Sequence, residues 1–138
     1  MKLPPDEAVR RLLVADVARL ATASAAAVPH IVAVTFAGTG GRIYIAIDHK
    51  PKASTRLTRL RNIEQNPSVS LLVDYYSPDW EALWWVRMDG RARVLEPGSA
   101  PDEAIGALRA KYPQYREVSL DGPMIEIEPT RTTGWSYR

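Results

Sequence analysis

Apolar and polar residues alternate with a period of two along much of this chain, a pattern typical of half-buried β-strands. The alternation is clearest in residues 43–48, where isoleucine occupies every second position. It is weakest in residues 17–24, because the alanines there have low β propensity. The predicted strands are residues 17–24, 29–37, 43–48, 69–76, 83–95 and 122–128, and residues 134–137 are expected to continue the last one.

Three other segments repeat apolar residues every three or four positions, which predicts helices. Prolines mark their starts or ends, since proline suits the first turn of a helix and disfavours helical backbone in the residue before it. Ser54 and Ser99 are expected to cap the second and third helices through their hydroxyl groups. The helices start near Pro5, Ser54 and Ser99 and end near Asp16, Asn66 and Tyr112.

Six strands with hairpin-length connections and three inserted helices indicate a mainly β fold. Residues 38–41 are a glycine-rich turn, whereas residues 25–28 are a turn without the usual glycine. We expect a closed antiparallel barrel, since closure removes exposed sheet edges and leaves a groove at the mouth or at a subunit interface. The chain has no internal repeat and no linker, so residues 1–138 are expected to form a single domain.

The longest predicted strand, residues 83–95, has two faces of different character. The face expected to point into the core carries Trp84, Val86, Met88, Gly90, Ala92 and Val94. The opposite face carries Trp85, Arg87, Asp89, Arg91 and Arg93. Because a tryptophan opens this charged face, we do not interpret it as a purely solvated surface.

A basic stretch follows the strand at residues 43–48 and leads into the second helix. Its cations are Lys50, Lys52, Arg56, Arg59 and Arg61, and no carboxylate lies between the first and the last of them. The helix itself is expected to pack through Leu57, Leu60 and Ile63. Helix N-termini attract anions, and neighbouring lysines and arginines favour a phosphate-binding site. The alternative is a solvated basic helix.

Composition restricts the chemistry further. The 138 residues have a net charge of +2, no cysteine, and two histidines, His30 and His49. Disulfides, thiolate catalysis and zinc–thiolate sites are therefore excluded. No carboxylates accompany the histidines at metal-ligand spacing, so no metal site is expected. The sequence shows neither a signal peptide nor a run of about 20 apolar residues, which favours a cytoplasmic protein without a membrane segment.

Residues for acid–base or nucleophilic catalysis are not evident, and we assign no catalytic residue. No serine lies in a GxSxG context and no glycine-rich phosphate loop joins a strand to a helix. A phosphate-binding segment accompanied by tryptophans and tyrosines instead indicates a protein whose chemistry belongs to a bound cofactor.

Several segments of the chain match the pattern of a known family. They are Arg19-Leu20-Ala21-Thr22, Pro29-His30-Ile31-Val32, Lys50-Pro51-Lys52 and residues 61–63 and 66–69. On these segments the chain resembles the pyridoxamine 5′-phosphate oxidase-related family of FMN-binding split barrels, over nearly its whole length. Residues 83–87 and 89–92 are similar to a subgroup proposed to use the deazaflavin coenzyme F-420.

This resemblance implies a split β-barrel of six or seven antiparallel strands with about three helices. It also implies a homodimer with two cofactor sites between the subunits. The cofactor phosphate would be held by Lys50, Lys52, Arg56 and Arg59, where two alignments place either Lys52 or Arg59 at the main position. Trp85 and Arg87 would face the cofactor ring or the partner subunit.

The function expected from this resemblance is an oxidoreductase that uses coenzyme F-420 to transfer hydride to or from a small organic substrate. An FMN-dependent oxidase or flavin reductase of the same fold is the first alternative. The second is a non-catalytic protein that binds a cofactor or nucleic acid. The small net charge of +2 argues against nucleic acid, which usually requires a concentrated basic face.

Overall fold

The computed structural model describes residues 1–47 and 57–138. His49, Lys50, Lys52, Ser54 and Arg56, which the sequence singled out, lie outside the described residues. The strands are β1 (Ala18–Ala23), β2 (Pro29–Val34), β3 (Ala37–Thr39), β4 (Arg42–Ala46), β5 (Ser68–Tyr75), β6 (Trp84–Leu95) and β7 (Met124–Ser136). The α-helices are α1 (Pro5–Val14), α2 (Thr58–Gln65) and α3 (Asp102–Lys111), and short 3₁₀ helices span Trp80–Ala82 and Pro113–Tyr115.

All of these strands belong to one antiparallel sheet in the order β2-β1-β5-β6-β7-β4-β3. β2 and β3 lie at opposite edges of the sheet, but only Thr35 and Phe36 join them. Three Cα–Cα steps bridge at most about 11 Å, whereas seven strands laid flat would span roughly 29 Å. The sheet therefore rolls into a barrel that is split between β2 and β3. The predicted mainly β split barrel with three helices is confirmed.

The boundary between β2 and β3, here called the seam, interrupts the predicted strand at residues 29–37. The interruption has a physical cause in Phe36, whose side chain is fully buried. Its backbone N–H donates to the Tyr112 hydroxyl at 3.1 Å, and its carbonyl accepts from Lys111 Nζ at 2.9 Å. These partners on α3 and just beyond it replace the sheet hydrogen bonds that Phe36 gives up.

Alternate residues of the long strands fill the barrel interior. On β6 the buried residues are Val86, Met88, Gly90 and Ala92, which confirms the predicted core face. The helices contribute Ala8 and Leu12 from α1 and Leu60 and Ile63 from α2. Burial of each leucine or isoleucine contributes about 1.5–3 kcal/mol, so the core decides which face of each strand points outward. No helix in the described part of the chain combines the length and apolarity needed to cross a membrane.

The second helix, α2, starts later than predicted. It begins at Thr58, because Leu57 at its N-cap has extended backbone and provides no side-chain cap. The predicted apolar stripe shrinks to Leu60 and Ile63, since Leu57 is 37% exposed. The end of α2 lies at the predicted position.

The third helix also starts later than predicted, and Ser99 is not its cap. Pro101 occupies the N-cap position, and no side chain caps the helix. The Ser99 hydroxyl instead donates to the carbonyl of Glu96 at 2.6 Å, within the preceding turn. α3 packs against β3, and its end at Tyr112 is as predicted. The residues that α3 buries most deeply are Ala104 and Leu108.

The last strand, β7, continues through Pro129 as predicted. A β-bulge interrupts its pairing with β6: Asp89 faces Arg131 and Gly90 faces Pro129, which leaves Thr130 without an opposite residue. Proline has no backbone N–H to donate, and a bulge is one of the few places where a sheet tolerates it. The bulge therefore allows β7 to pair with β6 on both sides of the proline.

The turns differ in how well their residues suit them. Gly40 and Gly41 form the turn between β3 and β4 with positive φ angles of 60° and 77°, which glycine adopts without strain. Of the predicted turn at residues 38–41, Gly38 and Thr39 belong to β3 instead. The turn between β1 and β2 places Ala27 at φ 64°, which is unfavourable for a residue with a Cβ atom.

Replacing Ala27 by glycine is expected to stabilise the protein. Left-handed backbone costs a residue with a Cβ atom about 1–2 kcal/mol, and the extra entropy of unfolded glycine cancels about half of that gain. Urea unfolding should show a gain of up to about 1 kcal/mol. Ala26→Gly is the matched control in the same turn: it lacks the positive φ and should only lose stability. Equal effects at both positions would contradict the prediction.

Lys111 links α3 to the seam and to the end of α1. Its Nζ donates to the carbonyl oxygens of Phe36 and Leu13, at 2.9 and 3.1 Å, and lies 3.8 Å from the centre of the Phe36 ring. Burial lowers the pKa of Lys111 to about 8, although the charge of Asp16 acts in the opposite direction. The carbonyls and the ring favour the ammonium form, whereas desolvation disfavours it.

The stability of the protein is expected to rise with pH above 8 because of Lys111. Its pKa is about 8 in the folded protein and near its ordinary value of 10.5 in the unfolded chain. Between these values the unfolded state binds more protons, so the free energy of unfolding increases with pH. The rise should be missing in Lys111→Met when urea unfolding is compared at several pH values. A side-chain NMR titration of Lys111 that gives a pKa near 10.5 would refute the prediction.

Candidate functional site

The outward-pointing residues of five neighbouring strands form a continuous surface, here called the outer face. Strand register places them in three rows that cross the strands. The first row is Ile31, Ala21, Ser70, Asp89 and Arg131. The second row is Ala33, Arg19, Leu72, Arg87 and Thr133. The third row is Asp74, Trp85 and Trp135.

A groove of about 590 Å³ lies on the outer face. It crosses all three rows and reaches the end of β5. Its lining is mostly apolar and aromatic, with a few charged side chains. The lining includes Arg19, Leu72, Tyr75, Trp85, Arg87 and Trp135.

Large aromatic side chains are exposed along the groove. Tyr75 is 50%, Tyr76 70% and Trp85 37% exposed, and all three line the groove. Isolated exposed apolar residues are normal, but a contiguous group of them in a concave surface marks a site for a ligand or another protein. The groove is therefore the strongest candidate site in the described part of the chain.

The charged groups of the groove are arranged around Leu72. Arg19 on β1 and Arg87 on β6 are its two neighbours in the second row, so the arginine Cα atoms lie about two strand spacings apart, roughly 10 Å. Arg87 Nε forms an ion pair with Asp89 Oδ1 at 3.2 Å. Arg19 has no ion pair within the described residues. The groove floor thus combines an apolar centre with a cation on each side.

The structure brings together only part of the predicted site. Trp85 and Arg87 both line the groove on the outward face of β6, as their position in the strand pattern indicated. Arg59 lies half-buried on α2, which packs against β1 and β6, and is not among the groove-lining residues. The other predicted phosphate ligands, Lys50, Lys52 and Arg56, lie outside the described residues. Their role as a phosphate-binding group stays a prediction.

Several residues of the groove are not evident from the sequence. Arg19 stands out only as part of a family motif, and the segment containing Leu72 and Tyr75 has the pattern of an apolar strand. The signal for Leu72 was the alternation along β5, where Val69, Leu71 and Val73 point inward. Arg19 had no comparable signal, because its position beside Leu72 depends on the order of the strands in the sheet.

A second polar cluster surrounds Glu126, whose carboxylate is almost fully buried. Arg93 Nε donates to it at 2.7 Å, and the Tyr44 hydroxyl donates at 3.0 Å. Burial alone favours the neutral acid, but these hydrogen bonds lower the pKa of Glu126 below its usual value. Burial and the adjacent carboxylate together raise the pKa of Tyr44. The cluster joins β4, β6 and β7 away from the groove, and we interpret it as structural.

Solved structures with the same fold cover almost the whole chain. A FAD-binding protein from Mesorhizobium loti is 21% identical with a TM-score of 0.70, covering 97% of this chain and 95% of its own. A FAD-binding protein from Mycobacterium smegmatis is 19% identical with a TM-score of 0.66, and the match covers 100% of this chain and 99% of that protein. HutZ, the heme storage protein of Vibrio cholerae, is 16% identical with a TM-score of 0.68, covering 97% and 95%. These similarities establish the fold.

Comparison with curated proteins gives no match. The family comparison is more informative, because one family described as "Pyridoxamine 5'-phosphate oxidase" matches residues 5–136. That span includes every strand of the barrel and every residue of the groove. The chain belongs to the pyridoxamine 5′-phosphate oxidase family.

Proposed function

We propose that this protein is an oxidoreductase that binds a flavin or deazaflavin cofactor in the groove of the outer face. The observation that carries the proposal is an open aromatic groove with Arg19 and Arg87 on either side of Leu72. Membership of the pyridoxamine 5′-phosphate oxidase family supports flavin chemistry. The two similar proteins described as FAD-binding support the same class of cofactor.

The groove fits such a cofactor in size and in chemistry. Its volume of about 590 Å³ lies within the range of roughly 300–1,000 Å³ common for small-molecule sites. A flat ring system requires apolar and aromatic contacts, which Leu72, Tyr75 and Trp85 provide. Polar ring edges and an anionic arm require donors and cations, which Arg19 and Arg87 provide.

In this proposal the protein binds and orients the cofactor and the substrate, and it excludes water from the reacting groups. When bound, the cofactor supplies hydride transfer. Leu72 and Trp85 would pack against a bound ring, and the exclusion of water there would strengthen the polar contacts of Arg87. A small organic substrate would lie on the open side of the groove, near Tyr76. Positioning of two reactants in one site is itself a large source of rate enhancement.

Coenzyme F-420 is the more specific form of the proposal. Residues 83–87 and 89–92 are similar to the F-420 subgroup, and a long acidic cofactor tail suits additional cations at Lys50, Lys52, Arg56 and Arg59. FMN, in an oxidase or flavin reductase, is the alternative, and the FAD-binding proteins of the same fold favour a flavin over a deazaflavin.

Heme is a further ligand to test, because HutZ shares the fold. Among the described residues, the one histidine is His30. It precedes the groove residue Ile31 on β2, so the two side chains point to opposite faces of the sheet. His30 therefore points with Val32 and Val34 toward the barrel interior and does not line the groove. This placement favours a flavin-type ligand over an axially bound heme in the groove.

We further propose that two copies of the chain associate through the outer face. Ile31 in the first row is 66% exposed and borders the groove. The same face carries both arginines, Arg19 and Arg87, and the carboxylate of Asp74. A twofold axis brings each surface against its own copy, so these opposite charges can meet across the interface. A groove shared by two copies would also enclose the cofactor more completely.

Titration with FMN, FAD and coenzyme F-420, followed by fluorescence, is expected to show binding of at least one of them. Trp85→Ala and Arg87→Gln should each weaken binding about tenfold, because they remove a ring contact and a charge-assisted hydrogen bond. Lys52→Gln and Arg59→Gln should weaken binding if those cations hold the phosphate. Trp80→Ala is the control, since Trp80 is 64% exposed but is not among the groove-lining residues.

Two results of the titration would contradict the proposed function or the predicted phosphate ligands. Failure of the wild-type protein to bind any of the three cofactors would refute the proposed function, and stoichiometric binding of hemin in their place would support a storage role. Unchanged affinity in both Lys52→Gln and Arg59→Gln would refute the predicted phosphate ligands while leaving the groove intact.

Association of two copies predicts a specific change in oligomeric state. Ile31→Glu should shift the protein from dimer to monomer, because it puts a charge on the apolar edge of the outer face. The fold should tolerate the change, since Ile31 is mostly exposed in the single chain. Val118→Glu, at a position 49% exposed outside the groove lining, should leave the dimer unchanged. A monomeric wild-type protein in sedimentation velocity would refute the proposed association.

A further inference from the structure

Asp89 contacts two groove-lining residues without lining the groove itself. Its Oδ1 accepts from the Ser70 hydroxyl at 2.7 Å and forms the ion pair with Arg87 Nε at 3.2 Å. Ser70 lies directly opposite on β5, and Arg87 lies two residues earlier on β6. Both Ser70 and Arg87 line the groove, whereas Asp89 does not. One carboxylate oxygen outside the groove lining therefore contacts two polar groups of the candidate site.

The backbone of Asp89 is itself held in place. The bulge between β6 and β7 begins after this residue, and the Thr130 hydroxyl donates to its carbonyl oxygen at 3.1 Å. Bulges commonly redirect side chains beside functional sites. Asp89 thus combines a fixed main chain, paired on both sides within the sheet, with a carboxylate that is only one-third exposed.

We propose that Asp89 is a positioning residue, which holds the Arg87 guanidinium and the Ser70 hydroxyl on the groove floor for the polar edge or anionic arm of the cofactor. The inference rests on the proposed function, since it assigns a role within the same groove. A long arginine side chain has many rotamers, and each one that is lost on binding lowers affinity. An ion pair that selects the bound orientation in advance removes part of that cost.

The sign of the expected effect separates positioning from simple electrostatics. Asp89 carries a negative charge beside a groove proposed to take an anionic cofactor. If it acted only through its charge, Asp89→Asn would tighten binding by removing a repulsion. If it positions Arg87, the same substitution weakens binding despite the loss of repulsion. Asp121→Asn is the matched control, because Asp121 is exposed, has no ion pair within the described residues and is not among the groove-lining residues.

The test is a double-mutant cycle on the full chain, with FMN, FAD and coenzyme F-420 as probes. Asp89→Asn should weaken binding about tenfold in the wild-type background. In the Arg87→Gln background it should change binding less than about twofold, since the ion pair is already lost there and only the Ser70 contact remains to be removed. Asp121→Asn should leave affinity unchanged, since it removes a carboxylate outside the groove lining. Tighter binding by Asp89→Asn, or an equal loss in both backgrounds, would overturn the proposal.

A second measurement needs no cofactor. Relaxation of the arginine Nε groups by ¹⁵N NMR should show Arg87 as rigid in the wild-type protein and mobile in Asp89→Asn. Arg91, exposed on the same face of β6, is the internal reference for a mobile arginine. If Arg87 is as mobile as Arg91 in the wild type, the positioning role is wrong even if the cofactor binds. If the wild type binds none of the three probes, the proposed function fails, and with it the role of Asp89 toward a cofactor.

Discussion

The two-residue connection between β2 and β3 is the constraint on which the rest of the structure depends. Thr35 and Phe36 join the opposite edges of a seven-stranded sheet, so the sheet has to roll into a barrel. Phe36 then fills the interior at the seam, where the strands no longer pair. Lys111 and Tyr112 hydrogen-bond to its backbone, so the C-terminal end of α3 closes the gap that the missing strand pairing leaves.

Rolling the sheet divides each strand into an inward and an outward set of residues, and the same strands serve both stability and the candidate site. On β5, Leu71 and Val73 are buried in the barrel while Leu72 forms the groove floor. β6 repeats the division with Val86 inside and Arg87 outside. Most groove residues are thus carried on paired strands of the sheet, which hold side chains more firmly than loops do. A shift of one residue in register would exchange core and groove.

Local pattern predicted the strands other than β3, and it predicted the two faces of β6. That pattern put Trp85 and Arg87 on the outward face, and the family resemblance implied their role in a site. Local pattern could not predict Arg19, because the approach of β1 to β6 is determined by strand order over long separations in sequence. Ser99 shows a different limit: a serine after a turn can cap a helix or close the turn, and here it closes the turn. The phosphate-binding role of the basic residues before α2 remains a prediction. Arg59 lies on α2, which contributes no residue to the groove lining.

The charges of the outer face restrict what can cover it. Arg87 is already paired with Asp89, but Arg19 and Asp74 have no ion-pair partner within the described residues. Removing an unpaired charge from water is strongly destabilising, so any cover has to bring an anion to Arg19 and a cation or water to Asp74. A purely apolar partner meets neither need, and an anionic cofactor alone meets only the first. A second copy of the same face carries both signs of charge, and together with a cofactor it can satisfy all of these groups. The cofactor site and the proposed subunit interface are therefore expected to depend on each other.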